Sequence, residues 1–107
     1  MNEFTPANHP ALAALGWDDA WADIFAPHAE QGREPARVAI RHKDQYVLVA
    51  RDGERKARIK GHLRYNAVEW GELPLVGDWV AIARREREDF WRIHARLPRR
   101  TELARKI

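Results

Sequence analysis

The chain contains neither cysteine nor serine. Without cysteine there are no disulfides and no thiolate metal sites, so 107 residues must be held together by packing alone, in keeping with a reducing compartment. Without either residue a Ser or Cys nucleophile is excluded. No apolar run approaches the roughly 18 residues of a membrane span. The opening MNEFTPANHP also lacks the basic and apolar regions of a secretion signal. These absences predict a soluble, cytoplasmic chain with no membrane partner. Neither a GxxxxGK(S/T) phosphate loop nor an NKxD nucleotide-specificity motif occurs, so the motif chemistry of a nucleotide hydrolase is missing. The five histidines, His9, His28, His42, His62 and His94, show no HExxH or paired spacing, and no metal or other cofactor is expected.

Basic residues are missing from one region only. Residues 1–32 hold five acids (Glu3, Asp18, Asp19, Asp23, Glu30) and no Lys or Arg, a net of −5. All 19 basic residues and the other 11 acids lie in residues 33–107, a net of +8. A basic body carrying an acidic arm suggests that the body meets a polyanion, of which nucleic acid is the commonest in the cytoplasm. The competing explanation is a charged surface that keeps the chain soluble. A 45% hydrophobic content supports one modest core and leaves no room for a second domain.

The core signal is clearest in LPLVGDWVAIA, residues 73–83. Pro74 and Gly77-Asp78 mark a turn, and Asp78 reads as turn chemistry rather than as a catalytic acid. Trp79 to Ala83 then alternate as a strand that is apolar on both faces, which implies a central position. Ahead of it, Leu12 and Leu15 fit a short helical turn before Gly16. Trp17, Trp21, Ile24, Phe25 and His28 recur on one face of a helix whose start is complemented by Asp18 and Asp19, and which Pro27 and Gly32 close. That aromatic face is expected to dock the arm onto the body, with His28 at its boundary.

From Arg33 the period becomes two. The expected strands are 36–42, with Val38 and Ile40 inward and Arg37 and Arg41 outward; 46–51; and 55–61, with Ala57 and Ile59 inward and Lys56, Arg58 and Lys60 outward. Asp52-Gly53 signals the hairpin between the last two. HLRYNAVEWGELPL follows, with an expected helical turn over 63–68. A final strand over 90–97 puts Trp91, Ile93, Ala95 and Leu97 on one face and Arg92, His94 and Arg96 on the other. Five strands with their longest connection between the third and fourth give an all-β fold, a five-stranded OB-fold barrel with an N-terminal helical arm and a short helix between strands 3 and 4. A five-stranded SH3-like barrel is the structural rival. The corresponding division is an arm over 1–32, a barrel over 33–97 and a basic linker over 98–107.

The blocks GWDDAWADIFAP, ARVAIRHKDQYVL, KGHLRYNA, LPLVGDWVAI and IHARLPRRTELARK, taken in order, resemble the N-terminal region of the circularly permuted, ribosome small-subunit-dependent GTPases. VGDWV followed by LPRR is the most specific pair. The resemblance implies an OB-fold domain that helps place the GTPase on the small ribosomal subunit, near the decoding region, during late maturation. It also implies that a permuted GTPase domain and a zinc-binding domain follow, so these residues are expected to be an excised N-terminal domain. GTP, Mg and Zn would belong only to those further domains.

The expected surface for ribosomal RNA is Arg37, Arg41, Lys56, Arg58, Lys60, Arg92 and Arg96 on the strands, His42 and Lys43 in the loop between strands 1 and 2, and Arg64 with Tyr65 in the connection. Tyr65 beside a guanidinium offers a stacking platform, with Trp70 and Phe90 as weaker candidates. Trp79, Trp91 and Tyr46 are expected in the core. The chain is expected to be monomeric, non-catalytic, and in contact with its own GTPase domain. Two other functions stay open: a protein-interaction module docking on that domain or on a ribosomal protein, and a free-standing single-stranded nucleic-acid binder.

Overall fold

A computed structural model of the protein describes residues 3–43, 45–59, 73–84 and 86–99. Two helices, α1 (Pro10–Ala14) and α2 (Asp19–Glu30), precede five strands: β1 (Glu34–His42), β2 (Gln45–Ala50), β3 (Gly53–Ile59), β4 (Trp79–Ala83) and β5 (Trp91–Arg96). The strands close into a barrel in the order β1-β2-β3-β5-β4, with β4 returning to β1. All neighbours are antiparallel except β3 and β5. This is the closure of an OB-fold, and it sets the SH3-like alternative aside. The expected helical turn over 63–68, with Lys60, Arg64, Tyr65 and Trp70, lies outside the described residues.

Each helix ends where glycine permits it. After α1, Gly16 takes φ 102° and Trp17 N–H donates to the Leu12 carbonyl; after α2, Gly32 takes φ 79° and Arg33 N–H donates to the His28 carbonyl. Both are Schellman closures, which use the left-handed conformation that glycine adopts without penalty. The Asp18 side chain accepts from Trp21 N–H at 3.0 Å and caps α2. Pro27 does not end this helix as expected. It sits in the last turns, where its missing N–H costs a single bond, and α2 continues to Glu30.

The barrel has two cores, one inside and one outside. Inside lie Ala36, Val38, Tyr46, Leu48, Ala50, Ala57, Val80, Ile82 and Ile93. Outside, Phe4, Leu12, Trp17, Trp21 and Phe25 of the arm cover Trp79, Ala81 and Leu97. The two-faced apolar pattern of β4 therefore has a specific cause: Val80 and Ile82 fill the barrel, while Trp79 and Ala81 receive the arm.

Two bulges override simple alternation. Between Val38 and Ile40 the β1–β2 register shifts, so Val38 opposes Leu48 but Ile40 opposes Val47. The extra residue, Ala39, flips everything after it to the other face. Ile40, expected inward, is 56% exposed. Arg37 and Arg41 likewise part: Arg37 stands outward beside Trp79, whereas Arg41 falls in the register of Tyr46 at the end of the barrel. In β5 the pairs Ile82–Ile93 and Ala81–Ala95 leave His94 as the extra residue. The expected single face of Trp91, Ile93, Ala95 and Leu97 is thus divided, with Ile93 inside the barrel and Ala95 and Leu97 under the arm.

The first bulge carries a prediction. Ile40→Ala is expected to change unfolding free energy by less than about 0.5 kcal/mol, the range of surface substitutions, whereas a core isoleucine truncated to alanine costs about 2–5 kcal/mol. Urea unfolding separates the two; a loss above about 2 kcal/mol would put Ile40 back in the core.

Candidate nucleic-acid interface

Register places the outward cations in rows. His42 pairs with Gln45, Gln45 with Arg58, and Arg58 with Arg92, so one transverse row crosses β1, β2, β3 and β5. The neighbouring row runs Ile40, Val47, Lys56. Arg41, His42, Lys43, Lys56 and Arg58 are exposed. Among the described residues none of these five has an ion-pair partner, so the four Arg and Lys charges are available to an external anion, with His42 beside them as a hydrogen-bonding group. Lys43 holds the loop after β1 at φ 57°.

The remaining strand cations are already engaged. Arg92 is bound in two-pronged fashion by Glu88, at 2.7 and 3.0 Å. Arg96 lies in a different row, opposite Val80, because the β5 bulge separates it from Arg92, and it donates to the Leu97 carbonyl. Arg37 donates from Nε to the Gly77 carbonyl at 3.0 Å, donates also to the Leu15 carbonyl, and lies over the Trp79 ring at 5.7 Å. A Cβ at position 16 would stand 3.2 Å from its guanidinium. Arg37 thus fastens the arm to the barrel and to the turn before β4.

A cavity of about 260 Å³ opens beside the row, lined by Gln45, Tyr46, Val47, Lys56, Ala57, Arg58, Asp89 and Phe90. The Arg58 guanidinium sits 4.4 Å from the centre of the Phe90 ring, a cation–π contact. Phe90 is therefore the aromatic that accompanies the cationic face among the described residues. Its pairing was invisible to strand alternation because Phe90 lies just before β5, and the parallel β3–β5 ladder that brings it to Arg58 is a non-local contact. A second aromatic–cation group was also missed. Trp91 packs against the inner core as expected, but it is only half-buried, and Arg55 and Arg84 lie over its ring at 5.4 and 5.6 Å.

A second cavity, about 290 Å³, lies where arm, turn and exit strand meet, and is lined in part by Trp21, Arg37, Asp78, Trp79 and Arg99. Asp78 is 8% exposed. It accepts from Leu75 N–H at 2.8 Å, as a turn residue should, and also from Arg99 at 2.9 and 2.8 Å. The second contact gives it a role beyond the expected turn chemistry. Tyr46, as expected, is in the core, and its hydroxyl donates to the Pro74 carbonyl.

Among the described residues no three His, Asp or Glu side chains converge as a metal site, and no helix is long and apolar enough to cross a membrane. His28 is half-buried, and burial together with the neighbouring positive Arg33 pushes its imidazole below the ordinary value.

No family model matches the chain. It is similar, however, to proteins called small ribosomal subunit biogenesis GTPase RsgA. Identity is 41% over 103 residues to the one from Opitutus terrae, covering 89% of this chain and 28% of that protein. The Streptomyces coelicolor protein is 36% identical over 99 residues, covering 92% and 26%, and the Syntrophotalea carbinolica protein 41% over 94 residues, covering 88% and 25%. The chain spans about a quarter of the length of these relatives. The match falls in their N-terminal part, outside the GTPase domain.

Proposed function

Since the chain belongs to the RsgA family as its N-terminal barrel domain, we propose that it is a non-catalytic RNA-binding domain. It binds ribosomal RNA of the small subunit, in the cytoplasm, and so helps to place a ribosome-assembly GTPase during late maturation. The observation that carries this reading is the exposed cationic surface of β1 to β3: Lys56, Arg58 and His42 on the outward face, with Lys43 in the following loop and Arg41 at the end of the barrel, all without ion-pair partners among the described residues, beside Phe90. Lysine and arginine spaced along strands track a phosphate backbone, and an adjacent aromatic adds base stacking. Arg92 and Arg96 contribute less because each guanidinium is already engaged, and Arg37 serves the arm. Lys60, Arg64 and Tyr65 extend the proposed surface by sequence.

The relatives' name supports a GTPase domain that shares a polypeptide with this barrel; by the family resemblance GTP and Mg would bind there, and residues 98–107 would lead toward it. In the protein-interaction alternative the body docks on the GTPase domain or on a ribosomal protein, and substitution of Trp17 or Trp21 should affect that docking strongly. Both side chains are buried in the arm–barrel core, so such an effect would act through the arm's packing and not through direct contact with a partner.

Charge reversal tests the proposal. The double variant Lys56→Glu/Arg58→Glu should bind bare small-subunit ribosomal RNA at least about tenfold more weakly at low salt while staying folded, its stability lowered by no more than about 0.5–1 kcal/mol, the worth of the exposed Arg58–Phe90 contact. Filter binding and a thermal melt are sufficient. Unchanged affinity in a folded variant would overturn the assignment of this face.

A further inference from the structure

The cavity beside the cationic row contains one residue that a phosphate-binding surface does not explain. Asp89 is exposed, lines that cavity with Gln45, Lys56, Arg58 and Phe90, and has no ion-pair partner among the described residues. A carboxylate among cations weakens attraction for a phosphate backbone. It strengthens binding only if the ligand brings hydrogen-bond donors to it, since an ionised carboxylate accepts and never donates. Nucleobase edges are such donors.

We propose that this cavity receives one unstacked guanine of a single-stranded RNA segment, an inference that rests on the RNA-binding reading above. The Arg58 guanidinium over Phe90 provides the stacking surface. A base either continues that stack or takes the guanidinium's place over the ring, and both arrangements are sequence-tolerant by themselves. Selection comes from Gln45 and Asp89, which line the same cavity. The pairing edge of guanine carries an oxygen acceptor followed by two adjacent N–H donors. Gln45, whose amide both donates and accepts, matches the oxygen, and the Asp89 carboxylate matches the donor pair. Adenine and cytosine offer an amino donor next to an acceptor, and uracil a single N–H between two acceptors, so each would bring a lone pair against the carboxylate. Lys56, two residues from Arg58 on β3 and also lining the cavity, is placed for the phosphate of the same nucleotide. A free guanine nucleotide carries the same base, but the exposed cations extending from the cavity along β1 and β3 favour a strand over a single nucleotide.

The test uses fluorescently labelled RNA octamers of uridine with one central G, A, C or abasic position, titrated with this chain. The G oligomer is expected to bind about tenfold more tightly than the A and C oligomers. Phe90→Leu, which keeps apolar bulk, should bring G to the abasic level, and Asp89→Asn should abolish the preference. Removing the negative charge raises affinity for every oligomer, so the readout for that variant is the G-to-A ratio. Guanosine monophosphate should displace the G oligomer only at millimolar concentration. Equal, tight binding of all four oligomers would overturn the base pocket and leave the RNA-binding proposal standing; failure of all four to bind would overturn both. Preference for another base would overturn the guanine assignment, and displacement by micromolar guanosine monophosphate would overturn the strand.

Discussion

Trp17→Ala is expected to destabilise the protein by about 3–5 kcal/mol, a large part of the 5–15 kcal/mol that holds a small domain together. Trp17 is 2% exposed and contributes on three counts. Its ring meets Trp79 of the barrel at 4.7 Å, and Phe25 and Trp21 of its own arm at 5.8 and 6.4 Å. Its indole N–H donates to the Phe4 carbonyl at 2.7 Å, which ties the start of the chain over the same cluster. Truncation leaves a cavity between arm and barrel and removes the hydrogen bond that the indole gives to the Phe4 carbonyl. Urea unfolding followed by the remaining tryptophans measures it. A loss below about 1 kcal/mol would mean that the arm is dispensable to the barrel.

Asp78→Ala should cost about 2–3 kcal/mol. The substitution strands the Leu75 N–H and removes two acceptors of Arg99, whose side chain is 31% exposed against 8% for Asp78. The partial exposure of Arg99 keeps the figure below that of a fully buried pair. A double-mutant cycle with Arg99→Ala should return a coupling of about 1 kcal/mol or more, since the two side chains share two hydrogen bonds. Additive losses would show that the pair is incidental to stability.

That pair explains something the sequence shows only as coincidence. VGDWV and LPRR, the two most specific blocks of the family resemblance, stand some twenty residues apart. In the fold Leu97 packs in the cluster of Trp79, Leu97 N–H donates to the Trp79 carbonyl, and Arg99 grips Asp78. The blocks look like a signature together because they form one contact. Periodicity could find each block but not their meeting, which is a tertiary event.

Other elements divide along the same physical line. The helical spacing of Trp17, Trp21 and Phe25 was legible because it reports one continuous face, and the arm does bury it on the barrel. The five strands were legible to within two residues at most ends. What alternation could not supply was the two bulges, since Ala39 and His94 look like any other strand residues while inverting the faces of their neighbours. Candidate site residues suffered most from this. Arg37 with Arg41, and Arg92 with Arg96, were grouped by counting in twos, and the bulges separate both pairs. Lys56 and Arg58 lie on β3, which carries no bulge against β2, and their outward position holds. Phe90 gained its importance from a parallel ladder that no local pattern encodes.

The most direct test of the account is the salt dependence of binding to small ribosomal subunits, comparing the chain with its Lys56→Glu/Arg58→Glu variant. If about four phosphates are neutralised, the logarithm of affinity should fall against the logarithm of salt with a slope of about −3 to −4, and the variant's slope should be shallower by about 2. Salt-independent binding, or the same slope in both proteins, would contradict an RNA interface on the β1–β3 face.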